Sequence, residues 1–196
     1  MTRTYELRER ARSQAETRRR IVEATVELHG SIGPARTTIS AIAAHAGVQR
    51  LTVYRHFPDE RTLFEACSGH WAAEHPLPDP SAWVAVEDPA KRLELALHEL
   101  YAHFRATETM TANVRRDLPA MPVIQEIAAS RAGYWKAVRT VLDRGWTVRG
   151  TQRRRLRAAI AHAVEFETWQ SLTRRQGLGD KEAADLMVRL ARNAET

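Results

Sequence analysis

Apolar residues recur along this chain at helical spacing, and proline and glycine punctuate them. Across 13–29, Ile21, Val22, Thr25, Val26 and Leu28 stay close to a 3.6-residue period, and Gly30 and Gly33 follow as stop signals. Thr37 or Thr38 can cap a short second helix in which Ile39, Ile42, Ala43 and Ala46 recur at i, i+3, i+4 and i+7, ending at Gly47. A third short helix is expected over about 49–56, before Pro58. Asp59 then caps a fourth, with Leu63, Phe64, Cys67 and Trp71 on one stripe.

All eight prolines lie at or before position 122, and four of them make 75–89 the one expected long loop. Beyond it the pattern predicts helices over about 89–107, 111–118, 121–146, 151–176 and 180–193. No alternating run is bounded by hairpin turns, so the expected fold is all-α, about nine helices with no sheet.

The length of 196 residues, with 43% hydrophobic and 28% charged residues, is that of an ordinary globular chain and excludes a collagen or disulfide-rich scaffold. The single cysteine, Cys67, rules out an intrachain bridge and a thiolate metal cluster, which fits a reducing compartment. Residues 1–20 are charged without an apolar core, and no later run approaches the roughly 18 apolar residues of a membrane span. The expectation is a cytoplasmic protein that is neither exported nor embedded.

Charge placement narrows the function. Of the net +6, residues 1–56 carry ten Arg against five Glu, whereas 57–196 carry twenty cations against nineteen anions. A localised basic region suits a polyanion partner, although a solvated charged face is an equally good reading of charge alone. Arg8, Arg10 and Arg12, with Arg3, read as a disordered solvated tail, with a minor-groove arm as the alternative.

The segment 38–63, TISAIAAHAGVQRLTVYRHFPDERTL, decides between these readings. It sets two short amphipathic helices on either side of Gly47, with small Ala43 one turn earlier, as close crossing in a helix-turn-helix requires. Ile39, Ile42, Val48, Val53 and Phe57 form the apolar underside, and Gln49, Arg50, Leu51, Thr52, Tyr54, Arg55 and His56 are left facing outward. Arg pairs with guanine and Gln with adenine in the major groove, while Thr, Tyr and His suit phosphate oxygens.

At these residues the chain resembles the tetracycline-repressor (TetR) family of bacterial transcriptional regulators. The family pattern of a threonine, then I-A-x-x-A-G-V, then T-x-Y-x-H-F is met by Thr38, Ile42, Ala43, Ala46, Gly47, Val48, Thr52, Tyr54, His56 and Phe57. Leu51 stands where the family often has glycine, which offers a side chain to a thymine methyl, and Glu60 stands where a basic residue is usual, with Arg61 beside it. The resemblance implies a three-helix DNA-binding domain over 1–58 and a larger helical effector-binding and dimerisation domain over 59–196. It implies operator contacts by Thr37, Thr38, Gln49, Arg50, Leu51, Thr52, Tyr54, Arg55 and His56. It also implies a homodimer on a palindromic operator, most often repressing and released by a small-molecule effector through movement of the fourth helix.

For the effector, Tyr101, Phe104, Asn113, Arg116, Trp135, Arg139 and Phe166 combine apolar bulk with a few polar groups. An aromatic or largely apolar ligand fits them, and the cations leave an anionic one open. The 151–176 helix carries apolar residues on two faces, Leu156, Ile160, Ala163 and Val164 opposite Ala158, His162, Phe166 and Trp169. With Ala183, Met187 and Leu190, the second face suggests a two-fold interface, and burial by its own chain is the alternative.

An effector-independent or architectural DNA-binding protein is the second reading, and a helical metalloenzyme the remote one. His98 and His103 are five apart and His162 precedes Glu165 by three, neither a zinc or di-iron spacing. No nucleophile elbow, P-loop or dinucleotide fingerprint is present. No catalytic residue, metal site or cofactor is therefore expected.

Overall fold

The computed structural model describes the backbone of residues 2–193 and the side chains of residues 5–193, so the side chain of Arg3 lies outside the described residues. Most of the described residues are helical, and no strand occurs among them. The first helix, α1 (Thr2–Ser31), starts well before the expected position near residue 13. Residues 5–16 have no apolar stripe and are exposed. Good helix formers and pairs one turn apart account for it: Arg19 bonds Glu16 at 2.7 Å and Glu23 at 2.8 Å, and Arg12 lies 3.7 Å from Glu9. The basic tail is thus an extension of a helix.

After α1 come α2 (Ile39–His45), α3 (Arg50–His56) and α4 (Glu60–Glu74). Thr38 Oγ1 accepts from the Ala41 amide at 3.1 Å and Asp59 Oδ1 from the Thr62 amide at 2.7 Å, so both predicted caps are made. The α2–α3 turn depends on Gly47, whose φ of +62° is open to glycine and whose added Cβ would lie 2.9 Å from the Arg20 guanidinium.

The later helices are α5 (Pro89–Ala106), α6 (Glu108–Asp117), α7 (Pro122–Ser130), α8 (Ala132–Leu142), α9 (Gly150–Ala163), α10 (Phe166–Gln170) and α11 (Asp180–Asn193). The loop over 75–89 is not free chain. It holds a 3-10 turn (Pro80–Ala85) whose Trp83 is fully buried, its indole donating to Glu99 at 2.7 Å.

Two expected long helices are broken. The 121–146 segment divides at Arg131 into α7 and α8, and 151–176 divides after Val164 into α9 and α10, the latter running into a π-turn at Ser171–Arg175. These breaks raise the count to eleven α-helices among the described residues. The second break has no proline or glycine and the first only Gly133, two residues on and inside α8, so apolar periodicity ran through both.

The chain packs as two units, residues 1–76 with 109–129, and residues 77–108 with 130–196. The first has a core of Ile21, Val22, Val26, Ile42, Ala43, Ala46, Val53, Phe57, Leu63, Cys67 and Met110. In the second, α11 packs on α5 and α9, and Tyr101, Phe104, Phe166 and Trp169 form an aromatic cluster with ring centroids 5.5–6.2 Å apart where they pair.

Candidate nucleic-acid interface

The polar face of α3 is built from beneath. Val53 and Phe57 are buried in the first unit's core. This fixes the rotation of a helix too short to persist alone and turns Arg50, Leu51, Tyr54 and Arg55 outward. Leu51 is 77% exposed and Tyr54 46%, the former an apolar side chain with no counterpart in its own fold to cover it. Gln49, the residue preceding α3, is also exposed, and Thr52 and His56 are half-buried at its flanks.

Two arginines of α1 hold this helix pair from behind. Arg18 donates to the His56 carbonyl at 3.0 Å, with its guanidinium 4.1 Å from the Phe57 ring centroid. Arg20 donates to the carbonyls of Ala46 and, at 3.3 Å, Gly47. Cations at the carbonyl ends of α2 and α3 satisfy acceptors that those helices cannot, and offset the negative end of each dipole. Part of the basic excess is therefore engaged by the protein's own carbonyls, and Arg36, Arg50 and Arg55 are further exposed cations on or beside α2 and α3. No sequence signal distinguished Arg18 and Arg20 from their neighbours in the RRR run.

His56 has its pKa lowered, first by burial and then by the charges of Arg55 and Arg18, so its imidazole favours the neutral form. Thr37 spends its hydroxyl on the Gly33 carbonyl at 2.8 Å, while Thr38 keeps an exposed hydroxyl at the α2 cap. The nine predicted contact residues thus lie on or beside α2 and α3, with the Thr37 hydroxyl already donating to Gly33 and the Thr38 oxygen accepting the Ala41 amide.

A second support comes from α6 and was not foreseen. Asn113 donates to the carbonyls of His29 at 3.1 Å and Gly30 at 2.7 Å, and Asp117 accepts the Ala35 amide at 3.0 Å. Arg116 donates to the Ile32 carbonyl at 3.1 Å and pairs with Asp117, holding that carboxyl below the usual range. Gly33, at φ +94°, lets this happen, since a Cβ there would collide with the Arg116 guanidinium. The end of α1 and the turn that leads to α2 are thereby fastened to α6. Arg61, beside the departure at Glu60, is engaged by Glu126 and lies 3.8 Å from Glu65.

The seven effector candidates divide between the units. Asn113 and Arg116 make the α6 contacts just described. Tyr101, Phe104, Trp135, Arg139 and Phe166 are in the second unit. There the Tyr101 hydroxyl donates to the Ala163 carbonyl at 2.8 Å, Phe104 and Phe166 are buried ring against ring, Trp135 is half-buried at the cluster's edge and Arg139 is exposed. Of the dimer candidates, Ala158 and His162 are exposed and Leu190 is 45% exposed. Trp169, Ala183 and Met187 are buried in their own unit, because the break after Val164 turns Trp169 inward, where its indole donates to Asp180 at 2.8 Å.

Residues 21–67, which contain α2, α3 and their apolar underside, match the family described as bacterial regulatory proteins, tetR family. Over this quarter of the chain the sequence carries that family's DNA-binding segment. Solved structures agree on the fold. A TetR-like transcriptional regulator from Rhodococcus sp. RHA1 aligns with a TM-score of 0.62 at 18% identity, covering 90% of this chain and 94% of that one. NalD of Pseudomonas aeruginosa, the secondary repressor of the MexAB-OprM multidrug efflux pump, aligns at 0.58 and 20% identity, covering 93% and 97%. A TetR transcription regulator from Haloarcula marismortui aligns at 0.57 and 18% identity, covering 92% and 97%. No curated protein matches the chain at a significant level. No helix among the described residues is long and apolar enough to cross a membrane.

Proposed function

We propose that this protein is a cytoplasmic, non-enzymatic homodimeric repressor of the tetR family that binds a palindromic operator through α3 and is released by a small-molecule effector. The observation that carries the reading is the rigid outward face of α3, with Arg50, Leu51, Tyr54 and Arg55 exposed over buried Val53 and Phe57. Gln49 and Arg50 read base edges, Leu51 meets a thymine methyl, and Thr38, Thr52, Tyr54, Arg55 and His56 anchor phosphates, with Thr37 supporting Thr38. In this division of labour residues 1–58 read DNA and 59–196 sense the effector and dimerise.

Dimerisation is supported by Leu186 and Leu190, 43% and 45% exposed and one turn apart on α11, together with exposed Ala158 and His162 on the adjoining α9. A two-fold pair would set its recognition helices about 34–36 Å apart, one turn of B-form DNA. The effector is largely apolar and engages the second unit near Trp135, Tyr101, Phe104, Phe166 and Arg139. Chain continuity through Thr107 links α5 to α6, whose Asn113, Arg116 and Asp117 hold the α1–α2 connection, so α6 joins α4 as a route of coupling.

Footprinting on DNA flanking the protein's own gene tests the reading. A protected palindrome, lost on adding an effector and contracted to one half-site by Leu190→Arg, supports it. Uniform binding to any sequence supports the architectural role instead.

A further inference from the structure

Glu94 and His98 stand one turn apart on α5, and Asp185 reaches them from α11 within the same packing unit. One ligand atom from each lies within 4.8 Å of the other two. This set is separate from the aromatic effector candidates and from the exposed Leu186 and Leu190.

The independent observation is His98 Nε2. It is sealed from solvent and has no hydrogen-bond partner, so neither neighbouring carboxylate bonds it. A buried polar atom left unpaired costs about 1–3 kcal/mol, and folded proteins rarely leave one without giving it something to bind. The Glu94 and Asp185 carboxylates come within 4.8 Å of this imidazole and of each other, yet neither gives Nε2 a partner. One occupant satisfies all three groups: a cation that takes an imidazole lone pair and two carboxylate oxygens.

The donor set names the class of ion. Magnesium and calcium prefer oxygen alone, whereas an imidazole nitrogen beside carboxylates suits zinc and its divalent transition-metal neighbours. Zinc bonds of about 2.0–2.2 Å bring ligand atoms to a little over 3 Å from one another, a contraction that the flexible Glu94 side chain can supply. Leu97 and Leu100, on either side of His98 in the sequence, are fully buried and anchor this stretch of α5 in the second unit. Three protein ligands leave a coordination position for water or an exchangeable ligand.

We propose that Glu94, His98 and Asp185 form a binding site for a divalent transition-metal ion of the zinc type, which ties α5 to α11. The Glu94–His98 pair escaped the sequence because its spacing, one carboxylate and one histidine four apart, is common on helices. The third ligand arrives only when α11 folds onto α5.

The untagged full-length chain, stripped with a chelator and dialysed free of it, is titrated with zinc by calorimetry, and its thermal midpoint is recorded with and without the ion. One ion per chain and a raised midpoint are expected, with at least tenfold weaker binding in His98→Gln and in Asp185→Asn. Cobalt in the same site should give the visible absorption of a low-coordinate centre. His70, which lies 3.5 Å from Glu74 on α4 in a two-residue histidine–carboxylate pair, is the control, and His70→Gln should bind as the unaltered chain does. Equal zinc affinity in His98→Gln and the unaltered chain overturns the proposal, as does an uptake below a tenth of an equivalent. Because the readout is metal uptake and stability, it stands or falls separately from operator binding.

Discussion

The helix-turn-helix and the aromatic half of the molecule solve opposite problems. Around α3 the chain spends a small apolar underside on holding a polar face still, and the residues that do so lie within 40 positions of one another apart from the α1 and α6 supports. In the second unit, Tyr101 and Phe104 of α5 and Phe166 and Trp169 of α10 are packed ring on ring, and polar groups appear as partners for the buried Tyr101 and Trp169 donors. A surface that must be recognised by another molecule is written locally, whereas a core is written in contacts between distant segments.

The contrast can be broken most severely at Trp169. It is fully buried, flanked by the guanidiniums of Arg105 and Arg174 at 5.5 Å, and its replacement by alanine should cost about 3–5 kcal/mol in urea unfolding. A loss under about 1 kcal/mol would show that the ring cluster does not carry the second unit.

Acid acts on the first unit. His29, packed 4.8 Å from the Phe64 ring, has its pKa pushed down from 6.5 to about 4 by burial, partly opposed by the charge of Asp117. Below pH 6.5 the unfolded chain takes up a proton that the folded chain refuses until about pH 4, so stability falls as pH drops through that window. The loss is on the order of 2 kcal/mol by pH 5. Unfolding curves at pH 7 and pH 5 should converge in His29→Gln by about that amount, and an unchanged pH slope in the variant removes His29 as the cause.

Arg50→Ala sharpens the comparison from the other side. It should leave the unfolding midpoint where it is, because Arg50 is exposed, yet relax operator preference by about 1–3 kcal/mol in competition binding. Equal weakening on every sequence would make Arg50 a phosphate contact. The smallest effect is expected for Thr38→Ala, about 1 kcal/mol of stability from the lost cap, read by the same unfolding assay. No loss there would mean that water caps α2 equally well.

Legibility followed the same division. The caps at Thr38 and Asp59, the turn at Gly47 and the buried Val53 and Phe57 were readable because each depends on neighbours within a few residues. The breaks at Arg131 and after Val164 were not, since apolar spacing continues through both and only packing bends the helix. Trp169 and Met187 looked available for a partner for that reason, and their own unit covers them. The arginines of α1 were countable as charge but not assignable as clamps. Arg18 and Arg20 became clamps when the carbonyl ends of α3 and α2 were folded against α1.

The order of residues alone determined an all-helical chain with a short polar helix after Gly47, because capping, turn geometry and helical period act over a few positions. Tertiary structure alone decided where Asn113, Arg116 and Asp117 fasten the α1–α2 connection, and that Asp185 meets Glu94 and His98. Those meetings join side chains many helical turns apart, and only the burial of apolar surface, which has no direction along the chain, brings them together.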